Sequence, residues 1–202
     1  MTISKTLIEM NLISGPAVIK IFDAHYQDIL DIDISSPAET MKELWSRYPN
    51  EVRSLNGKVF EALLATIWSR SGISPIYVEA MLSFVPNVEF DFVAYSRENG
   101  PVILSAKTSL RERYKQADLE GMMVRQVHRK AQSYLITLDE KAASLVNEKI
   151  SSGQVLGLDD VVVATSKEFN DLITKLKKLH FYEPEKIDVL KSKRIIKKLA
   201  RS

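Results

Sequence analysis

The stretch VEFDFVAYSRENGPVILSAKTS, residues 88–109, decides the fold that this chain is expected to adopt. Apolar and polar residues alternate in its first half, Asn99-Gly100 marks a turn, and an apolar run follows. This pattern predicts a β-hairpin. Two charges interrupt the apolar residues, Asp91 between two phenylalanines and Lys107 at the end of the second run. Because a charge in an apolar strand is costly to bury alone, we expect these side chains to pair or to bind a metal ion.

The register of the hairpin decides whether Asp91 and Lys107 share a face. A three-residue loop ending at a left-handed Gly100 pairs Arg97 with Pro101 and places Asp91 opposite Lys107. A loop one residue shorter or longer sends the two charges to opposite faces. The alternation also predicts a common face for four side chains, those of Val88, Phe90, Phe92 and Ala94.

The rest of the chain reads as helices before the hairpin and as alternating helices and strands after it. Ser36-Pro37-Ala38-Glu39 has the residues of a helix start, and Gly72 ends a later helix. Helical periodicity and apolar runs predict helices at 16–30, 37–48, 55–71, 111–133, 141–151 and 168–179 and strands at 77–84, 134–138 and 161–164. This order predicts a mixed α/β domain with a central sheet flanked by helices.

Composition narrows the range of functions. The chain has 202 residues, which suits one domain, and no cysteine, which excludes disulfides, zinc–thiolate sites and a thiol nucleophile. No signal peptide is recognisable, and no apolar run is long enough to cross a bilayer. We therefore expect a cytoplasmic protein that does not bind a membrane.

The net charge of +2 is unevenly distributed, with the positive charges concentrated at the C-terminus. Residues 183–202 contain seven Lys or Arg against three Asp or Glu, so the remainder of the chain is slightly acidic. The segment is predicted to form an amphipathic helix with Ile187, Leu190, Ile195 and Leu199 packed inward. A segment lying along a polyanion is the alternative.

A carboxylate and a lysine on adjacent strands, with a further acid nearby, suit metal-dependent phosphodiester hydrolysis. Carboxylate oxygens hold Mg²⁺, and the metal ion lowers the pKa of a bound water and stabilises charge on the phosphate. A lysine can orient the attacking water or contact the phosphate. The alternative for Asp91 and Lys107 is a structural salt bridge.

The spacing of these residues resembles that of the PD-(D/E)xK nucleases. Ser105-Ala106-Lys107 begins fourteen residues after Asp91, with serine where the second acid usually stands. The group of type II restriction endonucleases that includes EcoRII, PspGI, SsoII and NgoMIV instead carries this acid on the following helix. Glu120 lies thirteen residues after Lys107, as in that group, and Arg111-Glu112-Arg113 matches its basic-acidic-basic cluster.

The resemblance implies a role for each residue. Asp91 and Glu120 would bind Mg²⁺, and Lys107 would contact the phosphate and the water. Glu61, on an upstream helix, would complete the acidic cluster, although an exposed acid near a helix start is the alternative. Gln116 is expected to orient Glu120 or touch the DNA backbone, or else to be a surface residue.

The same resemblance implies that the Arg-Glu-Arg cluster reads DNA. Arg111 and Arg113 would donate to guanine, and Glu112 would accept from cytosine, as CC/GG half-sites require. Lys115 and Gln116 would contact DNA one turn later. A solvated first turn of a helix is the alternative for this cluster.

These expectations describe a homodimeric restriction endonuclease with a restriction-endonuclease-like mixed sheet and an antiparallel catalytic hairpin. It would cut double-stranded DNA at a short palindrome, leave 5′-phosphate and 3′-hydroxyl ends, and function with a cognate DNA methyltransferase. The single domain, 1–202, would comprise a helical N-terminal part (1–50), a catalytic core (55–182) and a basic C-terminal helix (183–202). A repair or junction nuclease of the same fold, or a non-catalytic DNA-binding module, is the alternative.

Overall fold

The computed structural model describes residues 2–49, 52–184 and 189–197, and it begins with three helices. These are α1 (Ile3–Glu9), α2 (Pro16–His25) and α3 (Pro37–Arg47). Helix α3 begins at the predicted proline, but the side chain of Ser36 makes no capping hydrogen bond. Instead, the Ala38 N–H donates to the Asn170 side chain at 2.8 Å, so a distant residue satisfies this helix start.

A 3₁₀ turn at Arg53–Leu55 leads into the elements that form the sheet and cover it. They are α4 (Asn56–Arg70), β1 (Ile76–Leu82), β2 (Val85–Ser96), β3 (Gly100–Lys107), α5 (Arg113–Val127), β4 (Gln132–Thr137), α6 (Glu140–Ser151), β5 (Asp160–Val163), α7 (Lys167–Leu176), β6 (Phe181–Tyr182) and β7 (Val189–Ile196). Helix α5 is shorter than predicted, because the chain turns at His128 and enters β4 four residues later.

The sheet is mixed, with the strand order β5-β4-β3-β2-β1-β7 and β6 paired to β2. Strands β3, β4 and β5 are parallel, and the other pairs are antiparallel. One face packs against α2, α3, α4 and α7 around Trp68, and the other face packs against α5 and α6. The predicted mixed α/β architecture with a central sheet is confirmed.

The hairpin forms, but its predicted register is wrong by two residues. Strand β2 pairs Ser96 with Gly100 and Phe92 with Leu104, so the three-residue loop is 97–99. The Asn99 N–H donates to the Ser96 hydroxyl at 3.1 Å and closes the turn one residue earlier than predicted. Because the shift is even, Asp91 and Lys107 still share a face, although they are not directly opposite.

Near Asp91, the alternate side chains of β1 and β2 switch from one face of the sheet to the other. Glu79 has a left-handed backbone, with φ 48°, and lies between Val78, which pairs with Phe92, and Ala80, which pairs with Phe90. Val78 and Phe92 pack on the α4 side, whereas Ala80 and Phe90 pack with the cluster on the α5 side. The predicted common face for Phe90 and Phe92 is therefore wrong.

The C-terminal helix predicted over 183–202 is wrong where the chain is described. Val189–Ile196 form the edge strand β7, which pairs with β1. Of the inward-facing residues predicted there, Ile187 and Leu199 lie outside the described residues. Ile196, which was not in that set, is buried at 1% exposure. Pairing with the free edge of β1 favours a strand over the helix that the lysine-rich composition suggests.

Within residues 2–49, 52–184 and 189–197, no helix has the length and apolarity needed to cross a bilayer.

Candidate functional site

The hairpin brings Asp91 and Lys107 into direct contact. The Lys107 Nζ lies 2.6 Å from Asp91 Oδ2, and both side chains are 21% exposed. The Ala106 N–H donates to the same carboxylate oxygen at 2.8 Å. A backbone donor and a lysine therefore hold Oδ2 of Asp91 in a fixed orientation. This half-buried pair joins the middle of β2 to the end of β3.

Glu120 approaches this pair from helix α5. Gln116, one turn earlier, donates from Nε2 to Glu120 Oε1 at 2.7 Å, which is the orienting contact that the sequence suggested. Burial raises the pKa of Glu120 above its usual range, the Gln116 hydrogen bond lowers it, and the charge of Asp91 raises it further. Lys107 also lowers it, so Glu120 lies within electrostatic reach of both hairpin residues.

Glu61 approaches from the opposite side of the sheet, on helix α4. Burial raises the pKa of Glu61 to about 7, and the negative charge of Asp91 contributes next. Lys107 opposes this shift. Acids from α4 and α5 are thus within electrostatic reach of the hairpin residues, one from each layer that covers the sheet. An exposed acid at a helix start does not describe this placement of Glu61.

A cleft of about 690 Å³ opens at this end of the sheet. Five of the predicted site residues line it, namely Glu61, Lys107, Arg111, Arg113 and Gln116. The facing wall contains Arg53, Ser54 and Asn56, none of which is among the predicted site residues. These three lie in the 3₁₀ turn and at the start of α4, and no local pattern reveals that this turn faces the hairpin.

The Arg-Glu-Arg cluster lies at the start of α5, as predicted, but its members point differently. Arg111, with a left-handed φ of 41°, and Arg113 are exposed and line the cleft. Glu112 instead forms an ion pair with Lys115 on the helix surface, and this hydrogen bond lowers the pKa of Glu112. Glu112 is therefore an exposed acceptor, one of whose carboxylate oxygens is already paired with Lys115.

A close backbone contact fixes helix α5. A Cβ on Gly121 would lie 2.1 Å from the Gly157 carbonyl oxygen, which no side chain permits. Asp118 Oδ1 accepts the N–H groups of Leu156 and Gly157, at 2.9 and 2.5 Å. Arg125 donates to the Leu156 carbonyl at 2.6 Å. The middle of α5, next to Glu120, is thereby held against the loop before β5.

The donor set at the hairpin fits Mg²⁺. Asp91 and Glu120 offer carboxylate oxygens, and Mg²⁺ is usually held by one or two carboxylates together with water and substrate phosphate. Among the described residues, no group of three or more His, Asp or Glu side chains is arranged to hold a metal ion alone. A metal ion bound here would therefore need oxygens from water or from a phosphate.

The strand order, the hairpin and the helices on both faces form a restriction-endonuclease-like fold. The chain superposes on the structure of restriction endonuclease PspGI bound to its substrate DNA with a TM-score of 0.51, covering 90% of this chain and 83% of that one at 16% identity. It also matches metal-depleted Ecl18kI bound to uncleaved, modified DNA with a TM-score of 0.40, covering 86% and 61% at 22% identity. No family model and no curated protein sequence matches the chain.

Proposed function

We propose that this protein is a type II restriction endonuclease, which cleaves double-stranded DNA at a short palindrome with CC/GG half-sites. The observation that carries the proposal is the convergence of Asp91, Lys107 and Glu120 beside a cleft whose wall bears Arg111 and Arg113. A salt bridge of purely structural importance does not require a second carboxylate brought in from another layer. The likeness of the fold to a restriction endonuclease supports the same conclusion.

Each residue has a distinct part in the proposed reaction. Asp91 and Glu120 would hold Mg²⁺, which would supply charge neutralisation at the phosphate and increase the acidity of the attacking water. Lys107 contacts the phosphate and orients the water, while its contact with Asp91 keeps the ammonium group in place. Gln116 holds the Glu120 carboxylate in position. Hydrolysis leaves 5′-phosphate and 3′-hydroxyl ends.

Digestion of a fully sequenced phage genome tests the proposal. We expect discrete fragments in the presence of Mg²⁺ and none in EDTA, and sequencing of the fragment ends gives the recognition site. Nicking that follows DNA structure instead of sequence would favour a repair or junction nuclease. Binding without cleavage would favour a non-catalytic module. Protection of the site by cytosine methylation is expected if a cognate DNA methyltransferase accompanies the enzyme.

Specificity should depend on Glu112. Because phosphates repel a carboxylate, Glu112 can favour binding only where it accepts a hydrogen bond from a cytosine amine. We expect Glu112→Ala to weaken cognate binding by about 1–3 kcal/mol and to leave binding to a scrambled duplex unchanged or slightly stronger. Gel shifts on both duplexes measure the difference.

Glu43→Ala is the matched control, since Glu43 also pairs with a cation on its own helix, Arg47. It should change neither affinity. If Glu112→Ala lowers both affinities equally, the Arg-Glu-Arg cluster is not the reader and the CC/GG assignment is wrong.

A palindrome is matched by a two-fold symmetric protein, and α5 offers a surface for a second copy. Leu119, Met123 and Val127 form an apolar stripe on it and are 61, 40 and 54% exposed. The stripe continues the helix that carries Arg113, so pairing along it would bring two clefts to one DNA site. We expect Met123→Glu to convert a dimer into a monomer, because dimerisation would bury an unpaired charge at this position.

Sedimentation measures this change directly. Leu145→Glu, at a residue that is 52% exposed on α6, is the control and should sediment as the wild type does. The Met123→Glu protein should also lose coupled cleavage of both strands. If Met123→Glu forms a dimer as stable as that of the wild type, α5 is not the dimer interface.

A further inference from the structure

A second cleft lies directly behind Glu61, with a volume of about 180 Å³. Glu61 lines both clefts, so the second cleft adjoins the proposed active site. Its walls come from the segment before α2, from α4 and from the strands β1 and β7. The basic C-terminal region, which the proposed reaction does not use, therefore reaches the neighbourhood of the active site through β7.

Three basic side chains line this second cleft, those of Lys58, Lys193 and Arg194. Lys58 is exposed, and Lys193 lies 2.7 Å from the Glu79 carboxylate while remaining 52% exposed. Arg194 donates from Nη1 to the Asn11 carbonyl, whereas its buried Nε makes no hydrogen bond within the described part of the chain. Three cations face two carboxylates, Glu61 and Glu79, which leaves the cleft with an excess of positive charge.

A row of charged side chains crosses the sheet near the two clefts. Lys107 on β3, Asp91 on β2, Glu79 on β1 and Lys193 on β7 follow one another across four neighbouring strands. Two ion pairs lie along this row, Lys107 with Asp91 and Lys193 with Glu79. Each end of the row is a lysine. A polyanion whose reacting group lies at Asp91 would meet positive charge at both ends.

We propose that the second cleft binds the phosphodiester backbone of DNA adjacent to the cleaved phosphate. This inference rests on the proposed nuclease function, because it takes the position of the reacting phosphate from it. A DNA strand carries a charge about every 3.4 Å along the helix axis, so phosphates next to the reacting one must lie against a neighbouring surface. Such contacts fix the position of the duplex and carry no sequence information.

The absence of cysteine from the chain permits a direct test by alkylation. Single variants Lys58→Cys and Ser14→Cys place a thiol at the second cleft, and Ser14 lines this cleft and not the first. Arg113→Cys reports on the first cleft. Lys178→Cys is the control at the opposite end of the sheet, two residues before His180, which contacts the hairpin turn at Glu98. N-ethylmaleimide is applied with and without a scrambled duplex in EDTA.

We expect the duplex to slow alkylation several-fold at residues 14, 58 and 113 and not at 178. Protection at Arg113→Cys alone overturns this inference and leaves the proposed function intact. No protection at any of the four positions overturns both. Equal protection at all four, including Lys178→Cys, shows unspecific coating and also overturns the inference.

The salt dependence of binding provides a second measurement on the intact site. Lys58→Gln and Lys193→Gln should each weaken cognate and scrambled duplexes alike and reduce the slope of log affinity against log salt by about one. Lys178→Gln should leave the slope unchanged. Unchanged slopes for both Lys58→Gln and Lys193→Gln would show that the cleft does not contact phosphates.

Discussion

Glu120→Gln is expected to abolish DNA cleavage while specific binding persists. The amide keeps the size of the side chain and can still accept from Gln116, but it removes the charge that a metal ion requires. Loss of a metal ligand removes several kcal/mol of transition-state stabilisation, and about 4 kcal/mol corresponds to about a 10³-fold lower cleavage rate. Asp91→Asn should behave similarly. It additionally weakens the attraction for Lys107, so it is the less selective change.

Single-turnover cleavage and gel shifts in EDTA separate the two effects. Glu9→Gln, at an exposed position on α1, serves as the control and should cleave at the wild-type rate. Cleavage by Glu120→Gln within tenfold of the wild-type rate would exclude Glu120 as a ligand of an essential metal ion. The resemblance to enzymes with a displaced acid would then be coincidental.

Glu61→Gln is expected to stabilise the metal-free protein in alkaline solution. The pKa of Glu61 is about 7 in the folded protein and near 4.5 when unfolded, so the folded state binds more protons between these values. The free energy of unfolding therefore falls as the pH rises through this window. A difference of about 2.5 pKa units corresponds to about 3 kcal/mol as an upper limit.

Urea denaturation in EDTA at pH values spanning this window measures the effect. The stability difference between Glu61→Gln and wild type should increase by up to about 3 kcal/mol from acidic to alkaline pH. A stability difference that does not change with pH would mean that the Glu61 carboxylate is not destabilised by its surroundings.

The hairpin could be predicted from sequence because its signals are local. Alternation, the turn residues and two misplaced charges all lie within residues 88–109. The exact register could not be predicted, because it depends on the hydrogen bond from the Asn99 N–H to the Ser96 hydroxyl. The prediction that Asp91 and Lys107 share a face still holds, because the register differs from the predicted one by an even number of residues. Local signals thus sufficed for the pair and not for its detailed geometry.

The remaining errors arise from contacts between distant parts of the chain. Lysine and arginine are good helix formers, and only the free edge of β1 makes a strand of Val189–Ile196. Arg53 gave no signal, because its position opposite the hairpin depends on the packing of α4 on the sheet. The assignment of Glu120 came from a resemblance, since a surface-like glutamate thirteen residues beyond a strand has no distinctive pattern of its own.

The contact between Gly121 and Gly157 holds in place a helix, α5, that carries both a proposed DNA-reading residue and a proposed metal ligand. Arg113 and Glu120 both precede this contact in the chain and are two helical turns apart on α5. Under the proposed function, a tilt of α5 large enough to admit a different base pair at Arg113 would stretch the hydrogen bonds that Leu156 and Gly157 donate to Asp118, two residues before Glu120. Altered sequence preference in this protein should therefore evolve by exchanging side chains at residues 111–113 on a stationary helix.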